Sequence, residues 1–141
     1  MKKKENTFIF SGFTLIELLV VIVIVGIITF VAIGSFGSYG LAGKRADGVN
    51  AILAISLAEE RYRSSNTTYG SLAQAYNGVS ASPQGFYTLS ISNTSATGYT
   101  ITATAQGTQA NDAVGSTSCT ALQFVMNNGT ITKTPAVCWP S

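Results

Sequence analysis

An apolar run from residue 13 to residue 33, FTLIELLVVIVIVGIITFVAI, constrains this chain more than any other feature, and Glu17 is its only ionisable side chain. As an α-helix the run would span about 31 Å at ~1.5 Å per residue, close to the roughly 30 Å of a bilayer's hydrocarbon core. The rest of the chain is too short and too rich in serine and threonine to enclose such a helix on every side. The run therefore predicts a membrane-crossing helix rather than a buried core helix.

Composition limits the function classes. The 141 residues fit one domain. The net charge of +2 comes entirely from the first twelve residues, which hold three lysines and one glutamate, and this argues against a strongly basic nucleic-acid binder. Beyond residue 63 the charged residues are Asp112 and Lys133. With no histidine, the chain lacks the commonest general base and metal ligand.

The order of charged and apolar residues argues against a cleaved secretory signal. A secretory peptidase cuts after the apolar run, whereas the predicted processing signal here, Ser11-Gly12, precedes it. Cleavage at this point would remove the leading charge and keep the anchor. Three leading lysines, against Lys44 and Arg45 beyond the span, place the N-terminus in the cytoplasm and the rest of the chain outside it.

Glu17 needs an explanation, because a carboxylate at the centre of a membrane helix costs on the order of 2.5–3.5 kcal/mol on insertion scales. One interpretation is that Glu17 lies near the helix start and reaches the membrane interface. The other is that it pairs with a positive group. In a chain that begins at Phe13, the new α-ammonium lies one helical turn from Glu17, in the same chain or a neighbour's. Pairing between neighbours would couple the docking of subunits to neutralisation of these charges.

Residues 12–21, GFTLIELLVV, resemble the processing and assembly motif of type IV prepilins. The resemblance implies cleavage after Gly12 by prepilin peptidase, N-methylation of Phe13, and a role for Glu17 in assembly. Many members have a proline where this chain has Gly34. Four glycines follow one another here, each about 1 kcal/mol less favourable in a helix than alanine: Gly34, Gly37, Gly40 and Gly43. A locally softened helix and a continuous one are both open.

Residues 44–63 regain helical periodicity. The predicted core stripe consists of Ala51, Ile55, Ala58 and Tyr62, extended by Leu53 and Leu57. The charged residues of this segment are expected to face solvent or each other as a solvated helix end: Glu59, Glu60, Arg61 and Arg63. The helix is predicted to stop near residues 64–66, where polar side chains compete for backbone hydrogen bonds.

Alternating residues predict a small antiparallel sheet after this helix. A loop over 65–85, with Tyr69, Leu72 and Tyr76 as anchors, is expected to lead into it. In the first strand Tyr87, Leu89 and Ile91 share a face. The predicted strands are 86–92, 99–104, 122–126 and 130–132, with a polar loop at 106–118.

A hairpin at Asn128-Gly129 predicts how the two cysteines pair, because Asn-Gly between strands is a strong hairpin signal. With these two residues as the loop, facing residue numbers sum to 257, as Cys119 and Cys138 also do. Facing residues lie within reach of a disulfide. In this register the missing N–H of Pro135 faces away from the partner, so strand 130–138 is expected at the sheet edge. Free thiols and a metal site are the alternatives, but two cysteines without histidine make a poor zinc site.

Several later stretches resemble minor pilins of the PilE and ComP kind. They are Glu60-Arg61-Tyr62, Asn66, Tyr69, YTLSIS, GYTITATA and Cys138-Trp139. The expected fold class is α+β, type IV pilin-like: a long N-terminal helix, with a membrane or filament-core half and an amphipathic half, packed on a small antiparallel β-sheet. The expected division is a prepilin leader at 1–12, an apolar helix at 13–36, a glycine-softened then amphipathic helix at 37–64, and a globular head with a C-terminal disulfide loop at 65–141.

The resemblance implies a structural subunit, most like a minor pilin. Its implied partners are other pilin subunits, prepilin peptidase, the inner-membrane assembly machinery and the membrane. The precursor would cross the bacterial inner membrane once, with its head in the periplasm, before it joins a filament at the cell surface. An enzyme is not expected, since the sequence has no nucleophile beside a visible base and no phosphate-binding glycine loop. No cofactor and no metal are expected either.

Two other functions stay open. A DNA-capturing pilus receptor needs cations against phosphates, yet only Lys133 lies beyond residue 63. The helix cations would be covered on assembly, namely Lys44, Arg45, Arg61 and Arg63. Base stacking would fall to Tyr69, Tyr76 or Trp139. A type II secretion pseudopilin would share the leader and helix, although the cysteine pair argues against it. Major or minor abundance, an adhesion ligand and glycosylation are left open by the sequence.

Overall fold

The computed structural model describes residues 12–140, and the side chains of all of these except 32–36 and 38. The chain divides into two units, Met1–Phe36 and Gly37–Ser141, and each is described by itself. Leader residues 1–11 and Ser141 lie outside the described residues, so the leader expected at 1–12 is represented by Gly12 alone.

The first unit contains the beginning of helix α1, Leu15–Ser64. Thr14 precedes it and begins its hydrogen bonding, because its hydroxyl accepts the N–H of Glu17 and its carbonyl accepts the N–H of Leu18. Within residues 12–140, no helix is both long enough and apolar enough to cross a membrane. The transmembrane helix inferred from the sequence stays a prediction.

The question of the glycines has a clear structural answer. Helix α1 is assigned without interruption from Leu15 to Ser64, so the segment 34–43 is helical throughout. The assignment contains no break at these glycines, and softening of the helix there stays a prediction.

The second unit is built from the later part of α1 and a four-stranded antiparallel sheet in the order β1-β2-β5-β6. A separate two-stranded sheet joins β3 to β4. The elements after α1 are α2 Leu72–Ala75, β1 Tyr87–Ser92, β2 Gly98–Ala105, β3 Ala113–Val114, β4 Thr117–Ser118, β5 Ala121–Asn127 and β6 Thr130–Thr134, with 3-10 turns at Gly107–Asn111 and Ala136–Cys138. The α+β class is therefore confirmed.

The core lies between one face of α1 and the inner face of the sheet. Ala51 and Ile55 are buried as predicted, and Ile52 is buried beside them. The predicted extension of the stripe is wrong, because Leu53 is 46% exposed and Leu57 is 53% exposed. Two residues along a helix turn by about 200°, so these leucines point away from the side that carries Ala51 and Ile55.

The two predicted loops contain short elements. Residues 65–85 include α2, which Ser71 and Gln74 begin with a capping box, a local stabilising arrangement. Residues 106–118 contain a 3-10 turn and the β3–β4 pair. The predicted anchors Tyr69, Leu72 and Tyr76 do pack against the core, and in β1 Tyr87 and Leu89 are buried on one face as expected.

The β5–β6 register matches the prediction, with Asn127 facing Thr130 and Gln123 facing Thr134. The strand is shorter than the predicted 130–138, because the ladder ends at Thr134 and a 3-10 turn follows Pro135. That turn brings Cys138 to Cys119, and the two are joined by a disulfide with a Cα–Cα distance of 5.7 Å. The predicted pairing is present, but a turn rather than a continued ladder produces it.

The two edges of the sheet are not alike. At the β1 edge, the N–H of Leu89 donates to the carbonyl of Ser80 and the N–H of Ser82 donates to the carbonyl of Tyr87. The segment around Ser80–Ser82 therefore covers part of this edge. Strand β6 is the other edge, as predicted, and all five of its residues are exposed. No other described strand pairs with its outer side.

A close approach between α1 and β1 predicts a stability change at Gly48. A Cβ added at Gly48 would lie 2.9 Å from Cδ2 of the buried Tyr87 ring, inside the ~3.5–4.0 Å that carbon atoms prefer. We expect Gly48→Ala to lower the free energy of unfolding by about 1–3 kcal/mol, measured by urea denaturation of the full chain in detergent.

The matched control is Gly43→Ala on the same helix, where an added Cβ meets nothing within 4 Å. This variant should gain up to about 1 kcal/mol from helix propensity. Equal stability of the two alanine variants would contradict the close contact between Gly48 and Tyr87.

Candidate functional site

The predicted processing and assembly residues lie together at the start of the described chain. Gly12 and Phe13 precede α1, and Glu17 lies in its first turn. The sequence Thr14-x-x-Glu17 has the form of a helix N-cap, and the Glu17 N–H is 3.3 Å from the Thr14 hydroxyl oxygen. An acidic group in this turn also interacts favourably with the helix dipole. Cleavage, methylation and pairing of Glu17 stay predictions.

The side chains around these residues form a large uncovered apolar surface. Within residues 13–31 the large apolar side chains are between 47% and 83% exposed in this single chain. A monomeric soluble protein rarely exposes an apolar patch above a few hundred Å². The surface is therefore one that other apolar groups must cover.

In the second unit, three of the acidic side chains are buried. Asp47 on α1 is 3% exposed and accepts the hydroxyl of Ser82 together with the backbone N–H groups of Gln84 and Phe86. These hydrogen bonds satisfy the buried carboxylate. They also fix the turn that leads into β1 against the helix.

Asp112 is the second buried acid, at 1% exposure. It forms a two-pronged ion pair with Arg45 of α1, at distances of 2.7 Å from Nε and 2.6 Å from Nη2. The side-chain amide of Gln109 donates to it as well, at 3.0 Å. The hydrogen bond to Asp112, which outweighs the opposing effect of burial, raises the pKa of Arg45. The pair ties the segment between β2 and β5 to the helix.

Glu59 is the third buried acid and corrects the sequence prediction, which placed it on a solvated helix end. Its side chain is 0% exposed, because it lies on the core side of α1, one turn after Ile55. Its Oε2 accepts the N–H of Gly70 at 2.8 Å. Burial raises the pKa of the Glu59 carboxyl, the hydrogen bond from Gly70 lowers it, and the charge of Glu60 raises it further.

Tyr99 forms part of the same buried region. Its hydroxyl lies 2.9 Å from the hydroxyl of Ser56, and its ring meets the Tyr69 ring edge-on at 4.7 Å. Burial, only partly offset by the hydrogen bond with Ser56, raises the pKa of Tyr99 to about 12. The tyrosine is therefore uncharged in any ordinary buffer.

Most cations of the second unit are more accessible than these acids. Arg61 and Lys133 are exposed, and Lys44 and Arg63 are partly exposed. Three of these cations lie over aromatic rings: Lys44 over Phe86 at 4.9 Å, Arg63 over Tyr69 at 5.9 Å and Lys133 over Trp139 at 5.3 Å. Glu60 is the exposed acid among residues 37–140. The accessible charge is thus mainly positive, although the sequence count beyond the leader is balanced.

The sequence could not show this asymmetry. Over residues 37–140 it gives five bases and four acids, but burial is decided by contacts such as Arg45–Asp112, which are 67 positions apart. Over residues 12–140, no group of three or more potential metal ligands is close enough to hold an ion.

Comparison with known families defines the class of protein first. Residues 10–33 match the prokaryotic N-terminal methylation motif. This motif implies a membrane-anchored precursor and a pilus at the cell surface. The match covers Gly12, Phe13 and Glu17, which the sequence had singled out.

The second match identifies the family. Residues 34–123, more than half of the chain, match the family described as type IV minor pilin ComP, DNA uptake sequence receptor. The chain belongs to this family, and it is a minor pilin subunit of a type IV pilus. The pilin family is a structural one. No curated protein matches the sequence.

The buried ion pair predicts a test of how the head is held on the helix. Asp112→Asn leaves the Arg45 guanidinium, 11% exposed, without its counter-charge. Since an uncompensated charge in a buried site is costly, we expect the free energy of unfolding to fall by about 3–5 kcal/mol. Urea denaturation of the full chain in detergent measures the change.

The control removes both charges together as Arg45→Leu with Asp112→Leu. Replacing a buried pair by apolar residues is often nearly neutral, so the double variant should be more stable than Asp112→Asn. The opposite order would show that the pair does not behave as a buried ion pair.

Proposed function

We propose that this minor pilin is made as a precursor, cut between Gly12 and Phe13 by prepilin peptidase, methylated at the new amino group of Phe13, and assembled through the first part of α1. The observation that carries the proposal is the uncovered apolar surface of residues 13–31, together with the methylation motif at 10–33. Cleavage at this point leaves the apolar helix at the new N-terminus.

Burial of this surface supplies the driving force for assembly. Removing apolar area from water stabilises by about 25 cal/mol per Å², and side chains that are half exposed or more in the single chain have much area left to bury. Other pilin subunits present the same kind of helix, so they are the proposed partners. The inner-membrane assembly machinery would transfer the subunit from the bilayer to the filament.

Glu17 is proposed to select the position at which this helix docks against its neighbours. After cleavage, the α-ammonium of Phe13 in a neighbouring subunit is the cation available to a carboxylate one turn into the helix. Between apolar helices an unpaired charge is expensive, so a subunit out of register is penalised. Pairing of Glu17 with that ammonium therefore favours one docking position.

The proposed topology follows the charges that flank the apolar run. Three lysines precede it, whereas Lys44 and Arg45 follow it, and the greater positive charge is expected on the cytoplasmic side. We place the precursor in the bacterial inner membrane as a single-pass protein with its head in the periplasm. The proposed division is a leader at 1–12, a filament-core helix at 13–36, a second helical part at 37–64 and a head at 65–141.

The proposal predicts that Glu17→Gln separates processing from assembly. The variant should still be cut after Gly12 and methylated, but its amount in sheared filaments should fall by about tenfold or more. The reason is that the buried α-ammonium of the neighbouring subunit loses its partner, and a loss of at least about 1.4 kcal/mol in docking free energy corresponds to that factor. Mass spectrometry of the N-terminal peptide, from filaments and from cell membranes, measures both steps.

Leu18→Ile is the matched control, since it keeps the charge and the apolar volume next to Glu17. It should be processed and assembled like the unsubstituted chain. An intact Met1 start in native membranes would overturn the processing scheme. Normal filament content of Glu17→Gln would overturn the role of Glu17 alone.

DNA binding by the head is the second candidate function. Two observations support it: the matched family is described as a DNA uptake sequence receptor, and the accessible charge of the second unit is mainly positive. Binding to phosphates depends on the cations that neutralise them. Buried acids such as Asp47 and Asp112 do not lie at the surface where a phosphate would bind.

Arg61 and Lys133 are the proposed phosphate contacts. Both are exposed in the single, unassembled chain, which is the state that the binding experiment uses, and neither side chain forms a hydrogen bond or salt bridge within residues 12–140. Arg63, by contrast, already donates to the carbonyl oxygens of Asn66 and Ala96. Its guanidinium is therefore partly committed to holding the loop.

We expect purified protein in detergent to bind short duplex DNA with an affinity that falls as salt rises. Lys133→Ala and Arg61→Ala should each weaken binding and reduce the slope of log affinity against log salt by about 0.9, the change for one phosphate contact. Fluorescence anisotropy over a salt series gives both quantities.

Thr132→Ala, also on the exposed β6 strand, is the control and should leave the salt slope unchanged. The thermal midpoint of each variant checks that Lys133→Ala does not act through its contact with Trp139. Unchanged salt slopes in both cation variants would contradict these contacts. Failure of the unsubstituted protein to bind DNA would contradict the candidate function while leaving the pilin assembly scheme untouched.

A further inference from the structure

Glu59 is the buried titratable group that neither proposed function uses. It lies near the end of α1 and is 0% exposed. The backbone N–H of Gly70, in the loop between α1 and α2, contacts its side chain. We call residues 66–71 the covering loop.

The two carboxyl oxygens of Glu59 have different surroundings. Oε2 accepts the Gly70 N–H at 2.8 Å. Oε1 is equally buried and has no hydrogen-bond partner among the described residues. A buried polar atom without a partner is costly, and the cost is greater when the atom carries charge. The surroundings of Oε1 therefore favour a neutral Glu59 carboxyl over an ionised one.

The covering loop lies close against the helix. A Cβ added at Gly70 would meet the Tyr62 ring at 3.0 Å, so glycine permits the approach that brings its N–H to Glu59. The loop is also joined to the turn between β1 and β2. The Tyr69 N–H donates to the carbonyl of Ser95 at 2.9 Å. Arg63, which belongs to α1, holds the same turn to the helix by donating to the carbonyl of Ala96 at 3.2 Å.

The charged and titratable groups around Glu59 do not neutralise it. On its own helix Glu60 adds a like charge, and in the covering loop and β2 the neighbours are Tyr69 and Tyr99. Arg63 is the cation of this region, but it lies over the Tyr69 ring at 5.9 Å and forms no salt bridge with Glu59. No described cation therefore compensates an ionised Glu59.

We propose that Glu59 is a pH-sensitive switch for the covering loop: the neutral carboxyl fits its buried site and keeps the loop closed, and the ionised carboxylate favours opening of the loop to water. The Gly70 hydrogen bond favours the ion, but one such bond does not replace the hydration that burial removes. Opening frees the Tyr69–Ser95 connection, so the response extends to the turn between β1 and β2.

The direction of the pH effect follows from linkage. Burial raises the pKa of the Glu59 carboxyl above its ordinary value of 4.5, whereas in the opened loop the group returns to that value. Closure is therefore firmest below about pH 4.5. As the pH rises from there toward the raised pKa, the equilibrium constant for closure falls by up to about tenfold per pH unit. Above the raised pKa this constant no longer changes.

Hydrogen exchange of the full chain in detergent, followed by mass spectrometry of peptides that contain residues 66–71, measures the closure. Labelling times are scaled at each pH for the intrinsic exchange rate. In the unsubstituted protein, protection of these peptides should fall with rising pH as described. In Glu59→Gln, which mimics the neutral acid, protection should stay at its acid-side level throughout.

Glu60→Gln is the matched control on the neighbouring residue. It should keep the fall in protection but move the midpoint to lower pH, because the like charge that raises the Glu59 pKa is gone. A flat profile in the unsubstituted protein, or an unchanged fall in Glu59→Gln, would overturn the switch. If Glu59→Gln does not fold, the test is a carbon-detected NMR titration of the Glu59 carboxyl in the unsubstituted protein. An ordinary pKa for this carboxyl would contradict the proposal.

Discussion

Contact between one face of α1 and the inner face of the sheet is the interaction on which the second unit depends. Ile52 and Ile55 on the helix are fully buried, as are Tyr87 and Ile101 on the strands. Apolar burial of this kind is non-directional, so it holds the two layers together without fixing the loops. The buried acids beside this contact supply the directional interactions, namely hydrogen bonds and an ion pair.

Each buried acid fixes a different connection. The turn before β1 is held by Asp47, the segment between β2 and β5 by the Arg45–Asp112 pair, and the loop after α1 by Glu59. In a site with little water, a satisfied polar network is strong and an unsatisfied one is expensive. Asp47 and Asp112 have donors for their oxygens, whereas Glu59 has a donor for only one. The three acids therefore differ in how firmly they hold their loops.

The sequence predicted the sheet better than the helix face, for a physical reason. Alternation along β1 and the Asn128-Gly129 turn are local signals, so strand identity and register followed from short stretches of sequence. On α1, apolar residues occupy 51–55 without interruption, so periodicity alone could not select the buried side. Leu53 and Leu57 were consequently assigned to the core when they lie outside it. The 3-10 turn Ala136–Cys138 depends on chain geometry after Pro135, which no pattern in the sequence indicates.

The candidate site, too, was predictable only in part. Gly12, Phe13 and Glu17 belong to a contiguous motif, so the sequence alone singled them out. The charge on the head surface could not be predicted, because it depends on which acids are buried by partners distant in the chain. Glu59 shows the difficulty most clearly, since its neighbours Glu60 and Arg61 are both exposed. A single step along the helix separates a hydrated charge from a buried one.

The unequal edges of the sheet have a consequence for crowding. A filament concentrates many heads in a small volume, and an unpaired strand under those conditions can associate with a strand of another head. The β1 edge is partly covered by the Ser80–Ser82 segment, but β6 has no such cover among the described residues. Strand β6 is only five residues long, carries Lys133 and is followed by Pro135, three features that oppose edge-to-edge aggregation. Lys133 thus opposes pairing of this exposed edge with another strand.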